Sequence, residues 1–156
     1  PSDLLLSINI SATVLIQPEC VKALSGYDLS RVVIELTERE SVLSYQALLE
    51  VVASLRDAGA KFAVDDAGAG YSSLRHIMML RPEWIKIDHS LVADVDKSKS
   101  QQALIRSMVQ YGTDMNAVII AEGIETPEEL ETLYRLGVRY GQGYLLARPR
   151  QPAVRH

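Results

Sequence analysis

The sequence predicts an α/β protein built on a parallel sheet, and three observations carry that prediction. Short apolar runs alternate with helical patterns along the 156 residues. The runs are rich in Val, Ile and Leu, as strands covered on both faces are. Nearly every run ends in an acid, an amide or a lysine. Strands alternating with helices imply right-handed crossovers, in either an open sheet or a barrel. Both architectures collect their chemistry at the carboxyl ends of the strands.

In chain order, the strand candidates are "LLLSINI" (4–10), "RVVIEL" (31–36), "KFAVDD" (61–66), "EWIKID" (83–88), "AVIIAEG" (117–123) and "GYLLA" (143–147). Helical patterns fall between them at about 14–25, 43–58, 71–80, 100–115 and 127–137. The last begins with Thr126-Pro127-Glu128-Glu129, which combines an N-cap hydroxyl, proline at the first helical position and acids in the first turn. Gly59 and Gly137 stand where helix C-caps belong. The "HIMML" methionines, Met78 and Met79, read as core. No linker, low-complexity tract or internal repeat interrupts the pattern. Residues 1–150 read as one domain and 151–156 as a tail. An apolar strand by residue 4 leaves no room for an element ahead of it, so the chain is expected to be a fragment of a domain.

Bulk composition narrows the function. With 47% hydrophobic residues and a net charge of -4, the chain has enough apolar material for a core and no broad basic surface for nucleic acid or an anionic membrane. The single cysteine, Cys20, excludes an internal disulfide framework and fits a reducing compartment. No apolar run approaches the roughly 18–20 residues that span a bilayer. A cytoplasmic location is the expectation for this segment.

The strand ends supply Asn9, Glu35 with Glu38 soon after, Asp65 with Asp66, Lys86 with Asp88, Glu122 with Glu125, and Gln142 just before the last run. One acid at a strand end is ordinary turn chemistry. Six such ends on one face of a parallel sheet would repel unless a positive charge sat among them. Oxygen ligands without His or Cys spacing point to a hard divalent ion such as Mg²⁺ or Mn²⁺. Two such ions about 3.5–4 Å apart form the arrangement used in phosphoester hydrolysis. Lys86 lies between Ile85 and Ile87, so its ammonium needs carboxylates, a metal-bound hydroxide or a phosphate beside it. A rival reading takes "GAGYSS" as half of a dinucleotide fingerprint with Asp88 as the ribose acid. Ser73 replaces its third glycine, and two carboxylates ahead of the loop would repel a pyrophosphate. His76, His89 and His156 lack metal-ligand spacing and read as surface or packing residues.

The segments "SINIS", "IELTE", "DDAGAGYSSL", "IKID", "AEGIET" and "GQGYLLARP", in this order over residues 7–149, resemble the EAL-domain family of bacterial cyclic di-GMP phosphodiesterases. The resemblance implies a modified TIM-like (β/α)₈ barrel with one antiparallel strand, here incomplete, with about six mostly parallel strands and about five helices. It implies cleavage of cyclic di-GMP to linear pGpG with two Mg²⁺ or Mn²⁺ ions. Asn9, Glu35, Asp65 and Asp66 then become metal ligands, with Asp65 bridging. Lys86 becomes the group that holds the attacking water, Glu122 a further catalytic acid, and Gln142 a lining residue. Glu38, Gly68, Gly70, Asp88 and Glu125 become supports for substrate or loop. The family's Glu-Ala-Leu segment is expected upstream of residue 1, so the isolated fragment is expected to be inactive. A homodimer and sensory or GGDEF-type partner domains also follow from the resemblance. The family's loop reads DDFGTGYSSL, whereas Ala67 and Ala69 stand here for Phe and Thr, and His89 stands where arginine is common. A non-catalytic cyclic di-GMP receptor is the alternative.

Overall fold

A computed structural model describes residues 4–37, 44–68 and 71–148. Glu38, Ala69, Gly70 and the 151–156 tail therefore lie outside the described residues, as does His156. Six strands form one sheet: β1 (Leu6–Ser11), β2 (Val32–Thr37), β3 (Lys61–Ala67), β4 (Trp84–Ile87), β5 (Val118–Ala121) and β6 (Tyr140–Gly141). They lie side by side in chain order, and every adjacent pair is parallel. Strands added one after another in the same sense form a singly wound sheet, as in the wall of a barrel. All carboxyl ends thus share one rim.

The helices are α1 (Ala12–Leu15), α2 (Pro18–Leu24), α3 (Tyr45–Asp57), α4 (Tyr71–Leu80), α5 (His89–Val92), α6 (Lys99–Met115) and α7 (Pro127–Leu136). Alternation within the strands decides which residues meet them. Ile34 and Leu36 of β2, Phe62 and Val64 of β3, Ile85 and Ile87 of β4, and Ile119 and Ala121 of β5 join one buried cluster. Helical residues such as Leu48, Val52, Leu55, Leu80, Ile105 and Leu133 complete it. The intervening residues face the other way, and Glu35, Asp65 and Lys86 are among them. One face of the sheet makes the core and the opposite face carries Glu35, Asp65 and Lys86.

Four expectations change. The 14–25 helix is two helices, because Gln17 is extended (φ -72, ψ 135) ahead of Pro18, whose ring nitrogen has no hydrogen to donate. A short helix, α5, occupies the stretch after β4, with Asp88 as its N-cap accepting from Ser90 N at 2.9 Å. The sixth strand is Tyr140–Gly141, paired with Ile120 and Ala121, and not 143–147. The apolar "GYLLA" coils into a turn, with the amides of Leu146 and Ala147 both donating to Gly143 O at 3.0 Å. Finally, Met78 and Met79 are 61% and 42% exposed, since α4 turns Ile77 and Leu80 inward instead. The Thr126 start holds in full: its hydroxyl accepts from Glu129 N while Glu129 accepts from Thr126 N, and Gly137 closes α7 at φ 99.

Candidate metal centre

A ladder defect in β3 sets up the site. Val64 pairs with Ile85 and Ala67 with Ile87, so Asp65 and Asp66 together stand opposite the single residue Lys86. Neighbours in a regular strand point to opposite faces, and an extra residue breaks that alternation. Asp66 takes a left-handed backbone (φ 53), which aspartate tolerates better than most residues. Both carboxylates consequently reach the same side. Oxygens of Asp65, Asp66 and Glu122 lie within 4.8 Å of one another.

Lys86 sits at the middle of this cluster, on a strand flanked by β3 and β5, and is 9% exposed. Its Nζ lies 2.8 Å from Glu35 Oε2, 3.0 Å from Asp65 Oδ1 and 2.7 Å from Glu122 Oε1. Burial alone pushes the Lys86 ammonium down, but hydrogen bonds to Glu122, Glu35 and Asp65 outweigh it and hold the pKa well above the ordinary lysine value. The lysine stays charged. Glu122 moves the other way for a carboxylate: burial pushes it up, the Asp65 and Asp66 charges add to that, and Lys86 opposes it. Among the described residues, one ammonium sits with four acids, Glu35, Asp65, Asp66 and Glu122. That surplus of oxygen donors and negative charge fits hard divalent cations.

The expected residues are distributed as follows. Asn9 is paired with Glu35 across β1 and β2, on the exposed end of the rim. Gln142 donates from Nε2 to Glu122 Oε1 at 2.6 Å, linking the end of β6 to the cluster. Glu125 lines a cavity of about 590 Å³ together with His89, Gly123, Gln142, Tyr144 and Arg148. Asp88 stays out of the cluster: its carboxylate caps α5, while its amide donates to Ala67 O at 3.2 Å. Gly68 follows the aspartates at φ 108. Two contributors escaped the sequence reading. Ser7 Oγ donates to Glu35 Oε1, a contact foreshadowed only by the two-residue spacing of Ser7 and Asn9 on one strand face. His89 Nδ1 lies 3.1 Å from Gly123 O, a pairing across 34 residues that spacing does not signal.

A singly wound parallel β/α wall with an acid cluster and a buried lysine on its carboxyl rim defines a protein of the TIM-like class with a candidate metal centre. The EAL domain family model matches residues 1–149, and the chain belongs to that family. Among curated relatives, the chain is 32% identical to the probable cyclic di-GMP phosphodiesterase PdeG of Escherichia coli, over 96% of this chain and 31% of that protein. It is 34% identical to the cyclic di-GMP phosphodiesterase PA2567 of Pseudomonas aeruginosa, over 94% of this chain and 26% of that protein. The chain spans from 15% to 38% of the length of such relatives. Among solved structures, the manganese and cyclic di-GMP complex of Klebsiella pneumoniae BlrP1 superposes with a TM-score of 0.84 at 38% identity, covering 93% of this chain and 39% of that one. The EAL domain of Mycobacterium smegmatis DcpA gives 0.87 at 28% identity, covering 95% and 69%.

Proposed function

We propose that this chain forms the catalytic rim of a cyclic di-GMP phosphodiesterase that hydrolyses one phosphodiester bond to give linear pGpG. The observation that carries the reading is the cluster of Asp65, Asp66 and Glu122 oxygens within 4.8 Å, gathered around the buried Lys86. Asn9, Glu35, Asp65 and Asp66 are the residues assigned to hold two ions, with Glu122 beside them. Bound Mg²⁺ or Mn²⁺ supplies Lewis acidity, which makes a water more acidic and offsets charge growing on the phosphate. Lys86, whose three N–H groups meet Glu35, Asp65 and Glu122, would turn one of them to the attacking water where bound ions take over a carboxylate, and so aim the water's lone pair at phosphorus. Glu122, whose carboxyl binds a proton more readily than an ordinary glutamate, takes the proton as the new P–O bond forms; the ester P–O bond breaks and the leaving ribose oxygen takes up a proton from solvent, giving the hydroxyl end of pGpG. Gln142 keeps Glu122 oriented, and Ser7 does the same for Glu35.

Support for this substrate comes from the relatives' names and from the BlrP1 complex. A second reading, a ligand-binding regulatory domain without turnover, draws on the antirepressor BluF of Escherichia coli, 31% identical over 94% of this chain and 38% of that protein. Sensory or GGDEF-type domains and a second copy are proposed partners, with a cytoplasmic setting; no helix among the described residues is long and apolar enough to cross a membrane. Within the described residues the sheet's two edge strands, β1 and β6, pair on one side only. The 156-residue chain alone is therefore proposed to turn over little or not at all. The test is chromatographic detection of pGpG after incubating the intact protein with Mn²⁺ and cyclic di-GMP. Turnover lost in Asp65→Asn supports the enzyme; tight ligand binding with no pGpG from the wild type overturns it.

A further inference from the structure

The short helix α5 touches the two backbones that carry the acid cluster. Gly68 lies two residues beyond Asp66, and a Cβ placed there would come 2.2 Å from Leu91 Cδ1. Gly123 directly follows Glu122, and a Cβ there would come 2.5 Å from His89 Nδ1. Both glycines are left-handed, at φ 108 and 69. Thus two side chains of one helical turn occupy the space that any other residue would fill at those two points. The His89 ring is also tied to Gly123 O at 3.1 Å. The turn itself is anchored: Asp88 caps it, Gln101 Nε2 donates to Ser90 O and Ala93 O at 3.0 Å each, and Val92 is fully buried. Its approach is fixed as well, because Asp88 N donates to Ala67 O and Glu122 N donates to Ile87 O.

We propose that His89 and Leu91 are positioning residues for the metal centre: they act as a spacer that sets the Asp65–Asp66 carboxylates against Glu122. Both meet the backbone beside the clustered acids. Leu91 acts through the Gly68 backbone, and His89 acts through Gly123 and the ring hydrogen bond. Groups hydrogen-bonded directly to a metal ligand change affinity by about 10- to 100-fold when removed, and His89 and Leu91 act one step further out, so the expected effect is the lower end of that range. The inference rests on the metal reading above.

The experiment measures Mn²⁺ affinity of the intact protein by electron paramagnetic resonance titration, beside urea denaturation in EDTA. His89→Asn keeps a donor near the Nδ1 position, whereas His89→Gln reaches toward Nε2 and His89→Ala supplies none. The expected result is Mn²⁺ binding weakened about 10-fold in His89→Ala, His89→Gln and Leu91→Ala, with His89→Asn within about threefold of wild type. Unchanged affinity in both His89→Ala and Leu91→Ala overturns the spacer. So does His89→Asn binding as weakly as His89→Ala while unfolding like the wild type. A wild-type protein that takes up no Mn²⁺ removes the metal reading itself.

Discussion

Replacing Lys86 by Met keeps most of the side-chain volume and removes the one ammonium that contacts Glu35, Asp65 and Glu122 at 2.7–3.0 Å. Taking one partner from a buried ion pair costs about 3–5 kcal/mol. The cluster's own escape route gives a second figure. Without the lysine, a carboxylate can become neutral by taking a proton, which from an ordinary pKa near 4.3 costs about 3.7 kcal/mol at pH 7 and about 1 kcal/mol at pH 5. The sign follows: in the variant the folded state holds more protons than the unfolded one between pH 4.3 and 7, so its stability falls as pH rises. Urea denaturation in EDTA, followed by far-UV circular dichroism, should show Lys86→Met less stable by about 3–4 kcal/mol at pH 7 and by only about 1 kcal/mol at pH 5. Millimolar Mn²⁺ should recover part of the loss at pH 7 by restoring positive charge. Equal losses at the two pH values, or none at pH 7, would refute the picture of one lysine neutralising a set of ionised acids.

Two further outcomes test the frame around the site. Burial raises the Glu129 carboxyl, but hydrogen bonds from the amides of Glu125, Asp94 and Thr126 outweigh it and leave the pKa below the ordinary 4.5. That stabilisation is present above about pH 4.5 and is lost as pH falls through the folded value, so Glu129→Gln should cost about 1.5–3 kcal/mol at neutral pH and flatten the acid limb of a pH–stability curve. An acid limb as steep as wild type's in the variant would refute this account. At Gly143, a Cβ would sit 2.1 Å from Ile124 O and 2.2 Å from Ile124 N, both backbone atoms that cannot swing away. Gly143→Ala should therefore cost about 3 kcal/mol in urea midpoint experiments; a loss below 0.5 kcal/mol would show that the turn after β6 yields freely.

The alternation of apolar runs with helices was enough to read a parallel sheet and the rim on which its polar residues collect. It also foretold the company of Lys86, because an ammonium between Ile85 and Ile87 has few affordable neighbours other than acids. What escaped was geometry that depends on distant chain segments. "GYLLA" is as apolar as a strand, yet the close packing of Gly143 on Ile124 forces a turn there. Met78 and Met79 follow Ile77 in one apolar stretch, and only the docking of α4 on β3 decides which of them turns outward. Local periodicity cannot report either effect. The adjacent aspartates were visible, but their ability to share one face depends on a register shift against β4, which exists only once the strands pair.

That shift has a consequence for how β3 can vary. Removing a single residue between Val64 and Ala67 would restore an unbroken ladder with β4, a change that favours the sheet, and would leave one carboxylate where two now stand. Random deletions here should thus yield well-folded proteins with a halved acid pair, so folding alone exerts no pressure to keep the irregularity. Its persistence in a lineage would record selection on chemistry, and its loss would mark copies of the domain released from that demand.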